Sequence, residues 1–415
     1  MLLKKILKFF VYYIPYPFFK IIEKTGLIAN IRVCKLHSQR IGHYAADIIG
    51  YLINCETNKK LSKLKIFFFL EKSIANVQIS NILIKYVKIY KYNLILEYIL
   101  KFLIFWNEEK YIFEISPYSL MCLKYDNYLN SNNYFHFNEE KKLKVNIFFN
   151  KINLNSKNKW ICFHNRDKEY LNSEIKSGWP SKHTDWSYHD HRDFKFETME
   201  KAALFFLEHN YNIFRMGKVT SEIYNSPSKK IYDYVNSKYQ NDLNDIYLLS
   251  NCEFYFGSDA GLNVIPIISK KPTYIINLQP TQIYTRSYGI IKNLFIFKKI
   301  MSKSTGKLLT LTEMLNSKIA FSSDAYEFQK QDMELVPNSP EEVLNFAIEC
   351  LKEYRGEKFS KEDIELQDEF DKIYKTAFRK SSLVKLSEGN KNRVIGNLKI
   401  KVSPSFIKSN IDLIK

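Results

Sequence analysis

The chain has 415 residues, 46% of them hydrophobic and 15% aromatic, with a formal net charge of +18. This composition excludes a disordered chain and leaves room for two domains with cores of their own. Residues 1–100 hold 16 Lys/Arg against 5 Asp/Glu, a balance that suits nucleic acid, anionic lipid or an acidic substrate.

The N-terminus, MLLKKILKFFVYYIPYPFFKIIEK, is interrupted by Lys8, Pro15 and Pro17 and has no small-residue cleavage site, so it does not read as a signal peptide. The run from Ile6 to Phe19 is too short to span a bilayer. Residues 1–25 are expected to form a basic amphipathic segment in the lipid interface, an ordinary buried helix being the alternative. Residues 31–36 predict a strand, then a turn at 38–43 and a helix to about Asn54. Residues 65–70 predict a second strand and 75–87 a helix. Residues 89–106 suit an amphipathic helix or a strand–helix pair. An Asn-rich stretch near 126–144 and a polar linker at 150–158 close this first block.

Beyond it the chain alternates strand and helix. Strands are expected at 160–164, 212–216, 253–256 and 273–277, and helices at 196–209, 243–249, 262–268 and from Pro340 to about Tyr354, capped by Ser339. This spacing predicts a parallel, doubly wound sheet. The tail, 356–415, reads as charged and helical and is expected to pack back on the N-terminal domain. Six scattered cysteines, with no C-x-x-C pair and no zinc spacing, predict free thiols in a reducing cytoplasm.

Candidate chemistry gathers at predicted strand ends. Gly257, Ser258, Asp259, Ala260 and Gly261 form a turn between a strand and a helix, suited to a diphosphate. Strand 160–164 ends in His164, Asn165, Arg166 and Asp167, strand 212–216 carries Arg215 and leads to Lys218, and Arg192 lies between them. These cations are expected to converge on the glycine turn and stabilise a departing diphosphate without a metal. A structural ion pair is nearly as good a reading of Arg215. His183, His189 and His191 with Asp185, Asp190 and Asp193 match no zinc motif, and no Asp-x-Asp clamp is present, so no metal is expected. In the first block Arg40, Gly42 and His43 form a strand-to-helix turn. His43 is the candidate general base, with Asp167 or Asp259 as fallback, and Arg40 and Gly42 are candidate acceptor contacts.

On these residues the chain resembles a largely uncharacterised family of bacterial glycosyltransferases found with surface-polysaccharide genes. The matching segments are RIGH (40–43), CFHNRDKEYL (162–171), DWSYHDHRDFKFETM (185–199), NIFRMGK (212–218), IYDY (231–234), DIYLLSNCEFYFGSDAG (245–261), KPTYIINLQP (271–280) and VPNSPEE (336–342). The segment from Phe256 to Asn277 is similar to the donor-site turn of heptosyltransferases. Those enzymes carry an Ile-Gly-Asp turn whose Asp is the base, and here the matching position is His43. His164-x-Arg166 resembles the strand end of O-fucosyl- and core-fucosyltransferases that meets the donor diphosphate.

The resemblance implies an α/β protein of the GT-B type, two Rossmann-like domains facing across a cleft. Residues 26–150 would hold the acceptor and residues 159–355 the donor. It implies an inverting, metal-independent transfer of a hexosyl or deoxyhexosyl group from a GDP-, UDP-, ADP- or CMP-linked sugar to a glycan or lipid-linked acceptor, for cell-surface polysaccharide or lipopolysaccharide. No cofactor beyond the nucleotide sugar is implied. The expected place is cytoplasmic, peripheral on an anionic inner membrane face. Nucleic acid is set aside, because the lysines are dispersed among strands and no recognition module is visible. A nucleotide-sugar epimerase of the same fold and a non-catalytic scaffold protein are the alternatives.

Overall fold

The computed structural model describes residues 9–123, 125–155, 157–176, 187–280, 282–283, 292–317, 319, 322, 324–380 and 399–414. Residues 1–8 of the expected lipid-facing segment, His183, Asp185 and residues 381–398 of the tail lie outside them. The chain divides into two compact units, residues 1–123 with 130–136, and residues 124–129 with 137–415.

The first unit begins with a π-helical turn, Phe9–Tyr13, and α1, Pro15–Lys24. It continues through β1 (Ile31–Lys35), α2 (Ile41–Thr57), β2 (Lys65–Phe69), α3 (Val77–Leu83), β3 (Ile89–Tyr90) and α4 (Leu94–Phe105). The strand–helix pair is therefore the correct choice for 89–106. The strands pair in parallel in the order β1-β2-β3, and a bridge from Val33 to Ile112 extends the sheet beyond β1. Gly50 of α2 has a packing reason, since a Cβ there would stand 2.3 Å from the backbone of Tyr118 and Leu120.

The second unit starts earlier than the polar linker suggests. Short helix α5 (Tyr125–Asn130) is tied to it where the Tyr128 hydroxyl donates to the Ile267 carbonyl at 2.5 Å. Helix α6 (Glu139–Lys151), capped by Asn138, buries Phe148 and Phe149 against Phe214 and Trp160. Then follow β4 (Trp160–His164), α7 (Glu169–Lys176), α8 (Glu200–Glu208), β5 (Asn212–Arg215), β6 (Ile231–Tyr232), α9 (Asp242–Asn251) and β7 (Tyr255–Gly257). Helix α10 (Val264–Ile268), β8 (Thr273–Leu278), β9 (Phe295–Phe297) and β10 (Lys299–Ser302) come next. The unit ends with α11 (Leu311–Asn316), α12 (Ala325–Lys330), β11 (Met333–Val336), α13 (Pro340–Tyr354), α14 (Lys361–Lys380) and α15 (Pro404–Ser409).

Six strands form one parallel sheet in the order β6-β5-β4-β7-β8-β9. The chain runs outward from β4 to β6, returns, and runs outward again from β7 to β9, which is the doubly wound order. All five residues of β4 and all six of β8 are buried, as expected of central parallel strands. Phe206 of α8 packs on Phe163 and Phe254, and Phe346 of α13 packs on Phe256. Helix α13 opens with the expected Ser339 cap, a reciprocal box with Glu342.

Asn277 and Asn338 each donate a backbone N–H to the other's side-chain oxygen, at 2.8 and 2.7 Å, and Asn338 also donates to the Phe297 carbonyl at 2.9 Å. This ties β8, β9 and the start of α13 together. The described part of the tail packs on the second unit, and this differs from its expected return to the N-terminal domain. Gln367 of α14 donates to the Val402 carbonyl, Val402 bridges Phe295, and Phe370 and Phe406 pack on Phe297. The apolar stripe of α14 thus finds its partner at the β9 edge.

Candidate functional site

The sheet reverses its winding between β4 and β7, and at such a switch point the two following loops separate and leave room for a ligand. His164 and Gly257 are paired at the end of these strands. A Cβ on Gly257 would lie 2.1 Å from the His164 carbonyl oxygen, so the close approach requires glycine. The Ser258 N–H donates to that oxygen at 2.9 Å, and His164 Nδ1 and Ser258 Oγ are hydrogen-bonded at 2.8 Å. Burial first, then the charges of Arg166 and Arg215, push the His164 pKa down to about 3. The imidazole is therefore neutral and serves to fix the β7 turn.

Three cations, Arg166, Arg192 and Lys298, lie just beyond this pair among the acidic residues Asp193, Asp259, Asp190 and Asp167. Buried Arg166 bonds Asp193 through its guanidinium. Arg192, from a 3-10 turn at Ser187–Arg192, donates to the Asp259 carbonyl at 2.5 Å. Lys298 follows β9, is 2% exposed, and donates to the carbonyls of His191 at 2.6 Å and Asp193 at 3.3 Å. Burial pushes its pKa down to about 8, Asp193 opposing and Arg166 and Arg192 adding to the fall. Burial, opposed by Arg166 and reinforced by Asp190 and Asp167, pushes the Asp193 carboxyl up to about 6.

Arg215 and Lys218 do not join this cluster. The Arg215 guanidinium is 2% exposed and donates to Asn165, Glu222, Asp233 and Thr220 at 3.0–3.3 Å, over the ring of Phe196. Lys218 pairs with Asp242 at 3.0 Å on the surface. Asp167 accepts from Glu169, Thr220 and Ser221; burial raises its pKa, but these bonds outweigh it and the net shift is downward. That carboxylate is a poor proton acceptor. The Asp259 side chain accepts from Asn263 at 2.5 Å. Ala260 and Gly261 lead into a 3-10 turn and then into the five-residue α10, so the expected longer helix with its aligned dipole is much reduced.

Sequence reading missed Lys298. It also missed an open hollow of about 340 Å³ beside the 3-10 turn, lined by Asp190, His191, Tyr326, Phe328 and Glu334 among others. Among the described residues no three His, Cys, Asp or Glu side chains are grouped as metal ligands would be.

In the first unit Ser38 locks the turn after β1. Its hydroxyl donates to the Ser73 carbonyl at 3.0 Å and accepts from the Glu71 N–H at 2.9 Å. Arg40 is the N-cap of α2, Gly42 is buried in its first turn, and His43 is exposed, its ring 6.3 Å from that of His37. Desolvation by the atoms packed around the ring lowers the His43 pKa, Asp47 opposing and Arg40 and His37 adding to the fall. At neutral pH the ring is thus able to accept a proton.

No protein-family model and no curated protein matches the chain. Among solved structures, it is similar to the ADP-heptose LPS heptosyltransferase II of E. coli, with a TM-score of 0.36 and 9% identity over 65% of this chain and 90% of that one. It is also similar to a glycosyl transferase family 9 structure from Veillonella parvula, with a TM-score of 0.33 and 9% identity over 63% of this chain and 83% of that one.

Proposed function

We propose that the chain is a glycosyltransferase of the GT-B type, and that its second unit binds the diphosphate of a nucleotide-sugar donor beyond β4 and β7. The observation that carries this reading is that Arg166, Arg192 and Lys298 come together at the switch point of a doubly wound sheet. A diphosphate is the kind of anion that such converging cations hold, and fixed cations favour it more as it departs with extra charge. Ser258 and the backbone of residues 257–261 complete the donor side. Arg215 and Lys218 have structural roles in this reading, and no metal is required for the leaving group.

His43 is the proposed base that takes the proton of an acceptor hydroxyl, with Arg40 and Gly42 beside it. Asp167 is less suited, since its carboxylate already accepts several hydrogen bonds. The acceptor is a glycan or a lipid-linked glycan, and the transferred group a hexose or deoxyhexose.

The test is thermal stabilisation of the purified chain by GDP-, UDP-, ADP- and CMP-linked sugars, in EDTA and with added divalent metal. One nucleotide class should stabilise the protein in EDTA. Arg166→Ala should weaken that binding by about a hundredfold, the worth of a strong charge-assisted pair, measured at a temperature where the variant's own melting curve shows it folded, since the change also breaks the pair with Asp193. Stabilisation by none of the panel, or equal binding by the variant, would sink the donor site. Donor turnover with no acceptor present would assign an epimerase instead.

A further inference from the structure

We infer that the first unit carries a lipid-docking face along α1, and that its partner is an anionic membrane surface. This goes beyond the donor-site reading and does not depend on it. Helix α1 is apolar on both of its sides. One side is used inside the protein, where Tyr16 stacks on Trp106 at 4.0 Å and Phe19 meets Phe102 and Tyr111. The other side carries Ile14, Phe18, Ile21 and Ile22, at the i, i+4, i+7, i+8 spacing of a helical stripe, and it faces solvent. Phe18 is 64% exposed and Ile21 62%. Leu94 and Ile104 of α4 are exposed as well, at 74% and 54%.

Large apolar side chains exposed singly need no explanation, but a cluster of this size marks an interaction surface. The helix is not a loose end that happens to be uncovered. Lys20 is held to Glu108 at 2.6 Å and to Glu23 at 2.7 Å, and Lys110 also pairs with Glu23. The Tyr111 hydroxyl donates to Glu23 at 3.0 Å and the Trp106 indole to the Tyr12 carbonyl at 3.0 Å. The polar groups of the α1–α4 pair are thus satisfied inward while its apolar stripe is presented outward.

The chemistry of the rim selects the partner. Lys24 is exposed at the end of α1 and Lys20 is half-exposed one turn before it, and exposed Phe10 and Tyr13 precede the helix. Cations and amphipathic aromatics around aliphatic side chains match the headgroup layer of an anionic bilayer. No described helix is long and apolar enough to cross a membrane, so the contact is with one surface.

The experiment is flotation of the full chain with phosphatidylcholine vesicles, with and without phosphatidylglycerol, alongside sedimentation analysis without lipid. The chain should float with the anionic vesicles and lose most of that binding in high salt. The double variant Phe18→Asp/Ile21→Asp should bind at least about tenfold more weakly, as expected when two inserted side chains are made acidic. Leu143→Asp, which alters an exposed apolar residue of α6 in the second unit, should bind as the parent does. Unchanged melting curves for the variants exclude misfolding. Failure of the parent chain to float, or equal flotation of the double variant, overturns the proposal. Self-association of the parent that the double variant abolishes, with no flotation, would assign the face to a second copy of the chain and also overturn it.

Discussion

Arg215 ends β5 and Arg166 follows β4, one strand away, yet the two guanidiniums lie in surroundings of different charge balance. Around Arg215 donors and acceptors are matched. Asp233 receives the guanidinium, the Tyr224 N–H and the Asn236 amide, and carbonyl and side-chain oxygens take the other guanidinium donors. Around Arg166, which pairs with Asp193, the cations Arg192 and Lys298 rest on backbone carbonyls, and burial drives Lys298 toward its neutral form. A matched network is what a fold needs in order to bury an arginine, because an unpaired buried charge is costly. A cluster biased toward positive charge gains on its own only when an anion arrives.

That contrast can be broken by measurement. The largest effect is expected for Arg215→Met, which strips half-buried Asp233 and three other acceptors of their buried donor and should destabilise the fold by about 3 kcal/mol in urea unfolding. A stable Arg215→Met protein that no longer binds nucleotide sugar would place Arg215 with the ligand and end the distinction. Next comes Lys298→Met, which should weaken nucleotide-sugar binding by about tenfold, or about 1.4 kcal/mol, in a variant that its melting curve shows to be folded.

The same lysine gives a pH test. Below about 6 Asp193 is protonated and the cluster is at its most positive; above about 8 Lys298 loses its proton. Affinity for a nucleotide sugar, whose diphosphate diester keeps its charge over this range, should therefore fall in two steps as pH rises. Isothermal titration across both regions reads this, and the upper step should vanish in Lys298→Met. A flat profile in the parent would remove Lys298 from the site. The smallest effect belongs to Lys218→Ala. Its surface pair with Asp242 is worth at most about 1 kcal/mol, and nucleotide binding should not change.

Most strands of the two parallel sheets are legible in the sequence because buried parallel strands are short apolar runs between polar turns, as in Trp160–His164 and Thr273–Leu278, whereas β6 and β9, of two and three residues, are too short to be read there. Their lateral order is not legible, since it depends on which faces pack. The same limit explains the unit boundary. Helix α6 reads as a polar run because Glu139, Glu140 and four lysines dominate it, while Phe148 and Phe149 do the packing. In the site, Arg166 and Arg215 share one pattern, a cation at a strand end, and the partners named above come from residues 5 to 50 positions away. Lys298 after Phe295-Ile296-Phe297 looks like any solvated strand-end lysine. Its burial is produced by the turn carrying His191 and Asp193, more than a hundred residues earlier.

The exchange of hydrogen bonds between Asn277 and Asn338 has a consequence for descent. Each amide oxygen serves the other's backbone, so replacing either residue by a hydrocarbon leaves the opposite N–H stranded in the interior. An aspartate at position 338 would in addition set a carboxylate against the Phe297 carbonyl. Neither position can drift by itself, although 61 residues separate them. Descendants of this chain should keep both asparagines or change them together, and their joint history would record that β8 and the start of α13 were built as one part.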